Sequence, residues 1–157
     1  MSASPRFALV PLASLRAHEE VDPAVVDRLV EEIRTAGVFV DPIWIDGATG
    51  TILNGHHRFR ALQRLGAVRV PAWVFDYLAD ESIRVEPWSP GTPVSKEAVL
   101  RRARDGPLYP IKTTRHRLLG PLPVRTVPLA ELFDNVPERE PPASIRAGGR
   151  GTANAQR

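Results

Sequence analysis

The stretch LNGHHRFRALQRLG, residues 53–66, brings an apolar strand-like end to a single glycine and follows it with two histidines and an arginine at the start of a helical pattern. A strand that turns at glycine into a helix leaves the first backbone N–H groups unpartnered beside the positive end of the helix dipole. Such an end binds phosphate. Gly55 permits close backbone approach, and His56, His57 and Arg58 can add donors and charge to the same oxyanions. A metal site is the competing chemistry, but adjacent side chains at a helix start point about 100° apart, and zinc sites on helices favour the i, i+4 spacing that is missing here. The pair therefore reads as phosphate-binding.

A second dense set of donors is KTTRH, Lys112 to His116, which holds one of the chain's two lysines. Lysine, two hydroxyls, arginine and histidine in succession suit phosphate oxygens, on a loop between prolines and glycines that can fold over a ligand. The plainer reading is a solvated basic loop. The acidic counterpart is RAHEEVD, residues 16–22, where Glu19 or Glu20 can act as general base on a hydroxyl. Carboxylates also simply favour the start of a helix.

The elements that must position these residues are legible from their boundaries. Residues 7–12 suggest a first strand, with Pro11 at an edge or end. Asp22 caps a helix with Pro23 at its first position, an apolar face of Val25, Val26, Leu29, Val30 and Ile33, and a stop at Gly37. Ile43-Trp44-Ile45 and Thr51-Ile52-Leu53 flank the hairpin turn DGATG. A helix over about 57–65 presents Phe59, Leu62 and Leu65 and ends at Gly66, and Val70–Phe75 is a further strand, which makes a βαββαβ-like block. Beyond it, SIRVEPW reads as a strand, Ser95 caps a helix that stops near Gly106, and GPLYPIKTTRHRL reads as an irregular, cation-rich loop. VPLAEL at 127–132 echoes VPLASL at 10–15, and both read as a strand end running into a short helix.

Composition narrows the function. The chain of 157 residues has no cysteine, which removes disulfides, thiolate metal sites and cysteine-based catalysis. The net charge is +3, but residues 138–157 carry four arginines and two glutamates, which leaves 17 basic and 16 acidic groups before them. A near-neutral body argues against a nucleic-acid partner. No long apolar run and no basic, apolar leader is present, so a cytoplasmic location without membrane contact is the expectation. Residues 137–157 are poor in apolar side chains and read as a disordered tail.

Taken together, the segments resemble the ParB/sulfiredoxin superfamily, whose core has a helix, a hairpin and a Gly-(His/Glu)-X-Arg phosphate-binding turn at the next helix. The resemblance runs from about Pro11 to Phe75 and implies an α+β fold: a small mixed sheet with packed helices, plus a small C-terminal α/β extension. The expected division is a nucleotide-binding core at 1–80, an extension completing the substrate site at 81–136 and the tail at 137–157. Sulfiredoxins depend on a cysteine that is missing here, and the sequence reads as too short for the helix-turn-helix and dimerisation regions of chromosome-partitioning ParB proteins. The free L-serine kinase branch resembles this chain further. Its HE, DGHHR, tryptophan and PxKTTRH pattern is matched in order by His18-Glu19, Asn54 to Arg58, Trp88 and Pro110 to His116.

That resemblance implies a kinase that moves a phosphoryl group from ATP or ADP, with Mg2+, to L-serine or a close analogue, giving O-phospho-L-serine. Glu19 would take the serine proton, with Asn54 and His56 beside it in the catalytic set. Gly55, His56, His57, Arg58, Lys112, Thr113 and Thr114 would hold nucleotide phosphates, and Trp88, Thr114, Arg115 and His116 would hold the substrate. No residue is expected to ligate metal directly. The family's Asp in the turn is Asn54 here, and an amide neither accepts a proton as a base nor adds negative charge. The alternatives are a non-catalytic nucleotide-binding regulator of the same fold and, less favoured, a DNA-associated module.

Overall fold

The computed structural model describes residues 5–134, so the tail expected at 137–157 lies outside the described residues. The strands are β1 (Arg6–Pro11), β2 (Val38–Val40), β3 (Ile43–Asp46), β4 (Ile52–Asn54), β5 (Arg69–Phe75), β6 (Ile83–Pro87), β7 (Thr114–Leu118) and β8 (Thr126–Pro128). The helices are α1 (Pro23–Ala36), α2 (His56–Leu65) and α3 (Lys96–Asp105). The main sheet has the order β1-β5-β3-β4, with β3 and β5 parallel and both outer pairs antiparallel. The mixed sheet with packed helices is the α+β architecture expected.

Alternation along a strand sends successive side chains to opposite faces, and β5 uses both. Val70, Ala72 and Val74 join Ile43, Ile45 and Ile52 under α1 and α2, which contribute Val26, Ile33, Phe59, Ala61 and Leu62. Trp73 and Phe75 point the other way, into a smaller cluster with Leu53, Tyr77, Ile83 and Val99. A strand covered on both faces reads as continuously apolar, which is why RVPAWVF is buried from Val70 to Phe75.

Helix α1 follows its sequence signals: the Asp22 carboxylate accepts from Ala24 N–H at 2.9 Å, and Gly37 closes the helix at φ 71°. Both VPLA stretches do run from a strand end into a 3-10 turn, at Leu12–Ser14 and Leu129–Leu132. Two features differ from the sequence reading. The cation-rich loop ends in a real strand, since β7 pairs antiparallel with β6 along its whole length. Its polar residues concealed it: Thr114 and His116 are buried because they find hydrogen-bond partners, so the inward face carries no apolar signal. The short β2 was not legible at all, and it pairs with β8 from the far end of the chain.

That return puts Val127 and Leu132 into the cluster under α1 and α2. Among the described residues, no helix is long and apolar enough to cross a membrane. Leu132 is fully buried, so Leu132→Ala should destabilise the whole domain by about 2–5 kcal/mol. Chemical denaturation followed by tryptophan fluorescence checks this, and a loss below about 0.5 kcal/mol would show that the returning segment is peripheral to the core.

Candidate active site

Strand β4 delivers Asn54 and Gly55 to the start of α2. Gly55 sits at φ 106°, and a Cβ there would lie 2.5 Å from Ile43 Cγ2, so both the backbone angle and the space demand glycine. No side chain caps α2. Gly55, His56 and His57 at its start line a cavity of about 380 Å³, and the first N–H groups of a helix have no partner within it. The cavity wall collects Glu19, Asn54, Gly55, His56, His57, Trp88, Lys112, Thr114, Arg115 and His116 from segments far apart in the chain.

Arg58 and Thr113 fall outside that wall. The Arg58 guanidinium donates to the Asp41 carbonyl and lines a neighbouring cavity of about 550 Å³, with burial lowering its pKa. The Thr113 hydroxyl donates back to the Pro110 carbonyl at 2.7 Å and so shapes the loop. Asn54 and His116 line both cavities and form the wall between them.

The histidine pair acts differently from a cationic cradle. His56 Nε2 accepts from the His18 backbone N–H at 3.1 Å, and His57 Nε2 accepts from the Asp22 N–H at 3.0 Å. An accepting Nε2 leaves the imidazole proton on Nδ1 and the ring neutral. Burial, the largest cause for both rings, lowers their pKa in the same sense. These rings can offer an Nδ1–H donor, but the positive charge expected of them is not available at neutral pH.

The charge comes from elsewhere. Lys112 and Arg115 lie over the Trp88 ring at 6.0 and 4.7 Å from its centroid, and Trp88, 46% exposed, forms the rim. Arg115 also donates to Glu86 at 2.9 Å, while its Nε is buried without a hydrogen-bond partner. Glu19 is fixed by the same loop: Oε2 accepts from Lys112 N–H at 2.9 Å, and Oε1 accepts from Thr114 N–H at 3.0 Å and from the Thr114 hydroxyl at 2.8 Å. Glu20 is exposed and outside the cavity wall, which favours Glu19 of the two adjacent acids.

Three buried residues behind the wall carry roles that the sequence reading left unassigned. His18 is fully buried, with Nδ1 donating to the Ile52 carbonyl at 2.7 Å and Nε2 lying 2.9 Å from the Thr114 hydroxyl. Tyr109 brackets it through the backbone, and the Tyr77 hydroxyl bonds His116 Nε2 at 2.7 Å. The available signal for His18 was its place beside Glu19 in an extended segment, where neighbours point opposite ways. For Tyr77 and Tyr109 the sequence offers none.

Burial lowers His18 to about 4, partly offset by its bond to Ile52, and lowers His116 to about 3, with His18 and Lys96 adding to the effect. The unfolded chain binds protons on these groups near the ordinary 6.5, so it holds more protons than the folded chain from there down to about 3–4. Stability must then fall as pH falls through that window. Going from pH 7 to 5 should remove roughly 4 kcal/mol through these two groups, with buried His56 adding in the same sense, read as a shift in denaturant midpoint. His116→Gln should reduce the loss by roughly 2 kcal/mol, and a flat profile would show that these histidines stay protonated inside the fold.

The ParB N-terminal domain family matches residues 7–87. The ATP-dependent L-serine kinase of Staphylothermus marinus is 36% identical over 86 residues, covering 52% of this chain and 34% of that protein. The ADP-dependent L-serine kinase SerK of Thermococcus kodakarensis is 28% identical over 102 residues, covering 62% of this chain and 42% of the relative. The chain thus spans well under half the length of these curated relatives. Among solved structures, a free serine kinase in complex with AMP superposes with a TM-score of 0.71 at 18% identity, covering 85% of this chain and 95% of the other. That likeness shows the fold, and the match across more than half of the residues, over the turn that builds the cavity, identifies the chain as a member of the ParB N-terminal domain family.

Proposed function

We infer that the protein is a free L-serine kinase, transferring a phosphoryl group from ATP or ADP to the serine hydroxyl to give O-phospho-L-serine. The observation that carries this reading is Glu19, fixed by Lys112 and Thr114 in the wall of the cavity that also contains the uncapped start of α2. A carboxylate base and an anion seat in one cavity are what phosphoryl transfer to an alcohol requires. L-serine kinases among the similar proteins, one ATP-dependent and one ADP-dependent, support the same reaction and both donors.

In this reading Oε1 of Glu19 is occupied twice, whereas Oε2 accepts one bond and keeps a lone pair for the serine hydroxyl. The first-turn N–H groups of α2, with Nδ1–H of His56 and His57, receive the phosphates, and the Lys112 ammonium adds charge. Arg115, whose guanidinium lies over Trp88 in the cavity wall, holds the serine carboxylate. The core expected at 1–80 then supplies the anion seat of α2 and the base Glu19, and the extension expected at 81–136 completes the site with Trp88, Lys112 and Arg115. Magnesium fits as a counterion carried by the nucleotide. Among the described residues no group of three or more acidic or histidine side chains is placed to hold a metal, and the cavity's carboxylate is already bonded to the loop.

Incubation with L-serine, Mg2+ and either nucleotide should yield O-phosphoserine by mass spectrometry. Glu19→Gln should lower kcat by ~10²–10⁴-fold while nucleotide affinity by calorimetry stays within about twofold. Nucleotide binding without product from either donor would instead favour a regulatory protein, the reading that Asn54 in place of the family's acid supports. Asn54→Asp is expected to raise kcat, and no gain would mean that this position does not limit transfer.

A further inference from the structure

Thr114 has one hydroxyl proton and two acceptors for it. Its Oγ1 lies 2.8 Å from Glu19 Oε1 and 2.9 Å from His18 Nε2. A carbonyl only accepts, so the 2.7 Å contact from His18 Nδ1 to the Ile52 oxygen places the imidazole proton on Nδ1 and leaves Nε2 a bare lone pair. With Glu19 ionised, the charge-assisted bond is the stronger one. The Thr114 proton then belongs to Glu19, and a fully buried His18 nitrogen is left without its donor.

We propose that Thr114 is a hydroxyl switch between Glu19 and His18, and that His18 is a positioning residue which favours proton uptake by Glu19. When Glu19 takes a proton on Oε2, one O–H bond breaks on the acceptor alcohol and one forms on the carboxyl. Oε1 becomes an uncharged acceptor, and the Thr114 hydroxyl rotates its own proton to His18 Nε2 without breaking a covalent bond. The hydrogen bond gained at His18 offsets the charge-assisted bond lost at Glu19, so the base is not held in its ionised form by Thr114.

The surroundings suit this exchange. His18 is walled by the rings of His56, Tyr109 and His116 at 4.6, 6.2 and 5.9 Å, and both neighbouring imidazoles are held neutral by burial. His57, Lys112 and Arg115 are the other ionisable groups in the cavity wall near Glu19. With His18 itself lowered to about 4 by burial, its Nε2 accepts without charging at neutral pH.

The switch is read on His18 directly, with neither serine nor nucleotide present. In the 157-residue protein at pH 7, the His18 Nε2 nitrogen resonance should move upfield in Glu19→Gln, where the neutral side chain releases the Thr114 proton. In Thr114→Val that resonance should lack its donor and should not respond to adding Glu19→Gln. An unmoved resonance in Glu19→Gln, or the same movement with Thr114 removed, would overturn the proposal.

The catalytic consequence rests on the kinase reading. There, His18→Phe should lower kcat roughly tenfold, the worth of one hydrogen bond, with the serine KM nearly unchanged. A moved resonance without any phosphoserine would retire the kinase and leave the switch standing. An active kinase whose His18 resonance is fixed would do the reverse.

Discussion

Residues 18–22 are hydrogen-bonded from both sides, and the site depends on that. The His18 N–H and the Asp22 N–H donate to the rings of His56 and His57 on α2, while the His18 carbonyl and the Glu20 N–H pair with Tyr109 at 2.8 Å each. A buried N–H without a partner costs about 1–3 kcal/mol, and at fully buried His18 this segment, crossing between α2 and Tyr109, depends on the His56 ring for that partner. Once it is fixed, Glu19 projects toward the cavity, His18 projects toward the core, and Asp22 is in place to cap α1.

The same constraint decides where charge can reside. Neutral imidazoles are the acceptors that the crossing segment needs, and an imidazolium at either position would break the bond it makes there. The buried centre is therefore polar and uncharged, with His18, His56, His116, Tyr77 and Thr114 hydrogen-bonded around it. In the cavity wall, cationic side chains sit at the rim, on Lys112 and Arg115 beside Trp88. A site of this kind presents fixed dipoles from within and positive charge at the rim, so an anionic group meets donors that need little reorganisation.

Much of the fold was legible because its signals are local. The Asp22 and Ser95 caps, the glycine stops at 37 and 66 and the apolar period of α1 each depend on a few neighbouring residues. The positions of the turn and the KTTRH segment in one cavity also followed from their donor chemistry. What the sequence hid was long-range. Strand β7 buries polar side chains whose partners, His18, Glu19 and Tyr77, lie some 39 to 96 residues away, and no periodicity reveals such a face. The role of the histidine pair was hidden for the same reason. Donor-rich composition suggests cations, but which atoms of a ring are already engaged is known only once residues 18–22 are placed against it.

The β6–β7 ribbon is a separate two-stranded sheet, and a lone ribbon of that size is marginal in water. Besides the buried bonds of Thr114 to His18 and of His116 to Tyr77, two kinds of contact hold it to the main body. Ile83 packs into the cluster with Trp73, Phe75, Tyr77 and Val99, and Glu19 binds the backbone and hydroxyl at the ribbon's leading end. The apolar contacts are independent of charge, whereas the Glu19 contacts strengthen with it. The carboxylate that serves as base in the proposed reaction is thus also the tether that closes the loop over the cavity. Chemistry at Glu19 and closure of the site are thereby coupled through a single side chain, and Thr114, which bonds both Glu19 and the buried His18, is where that coupling enters the core.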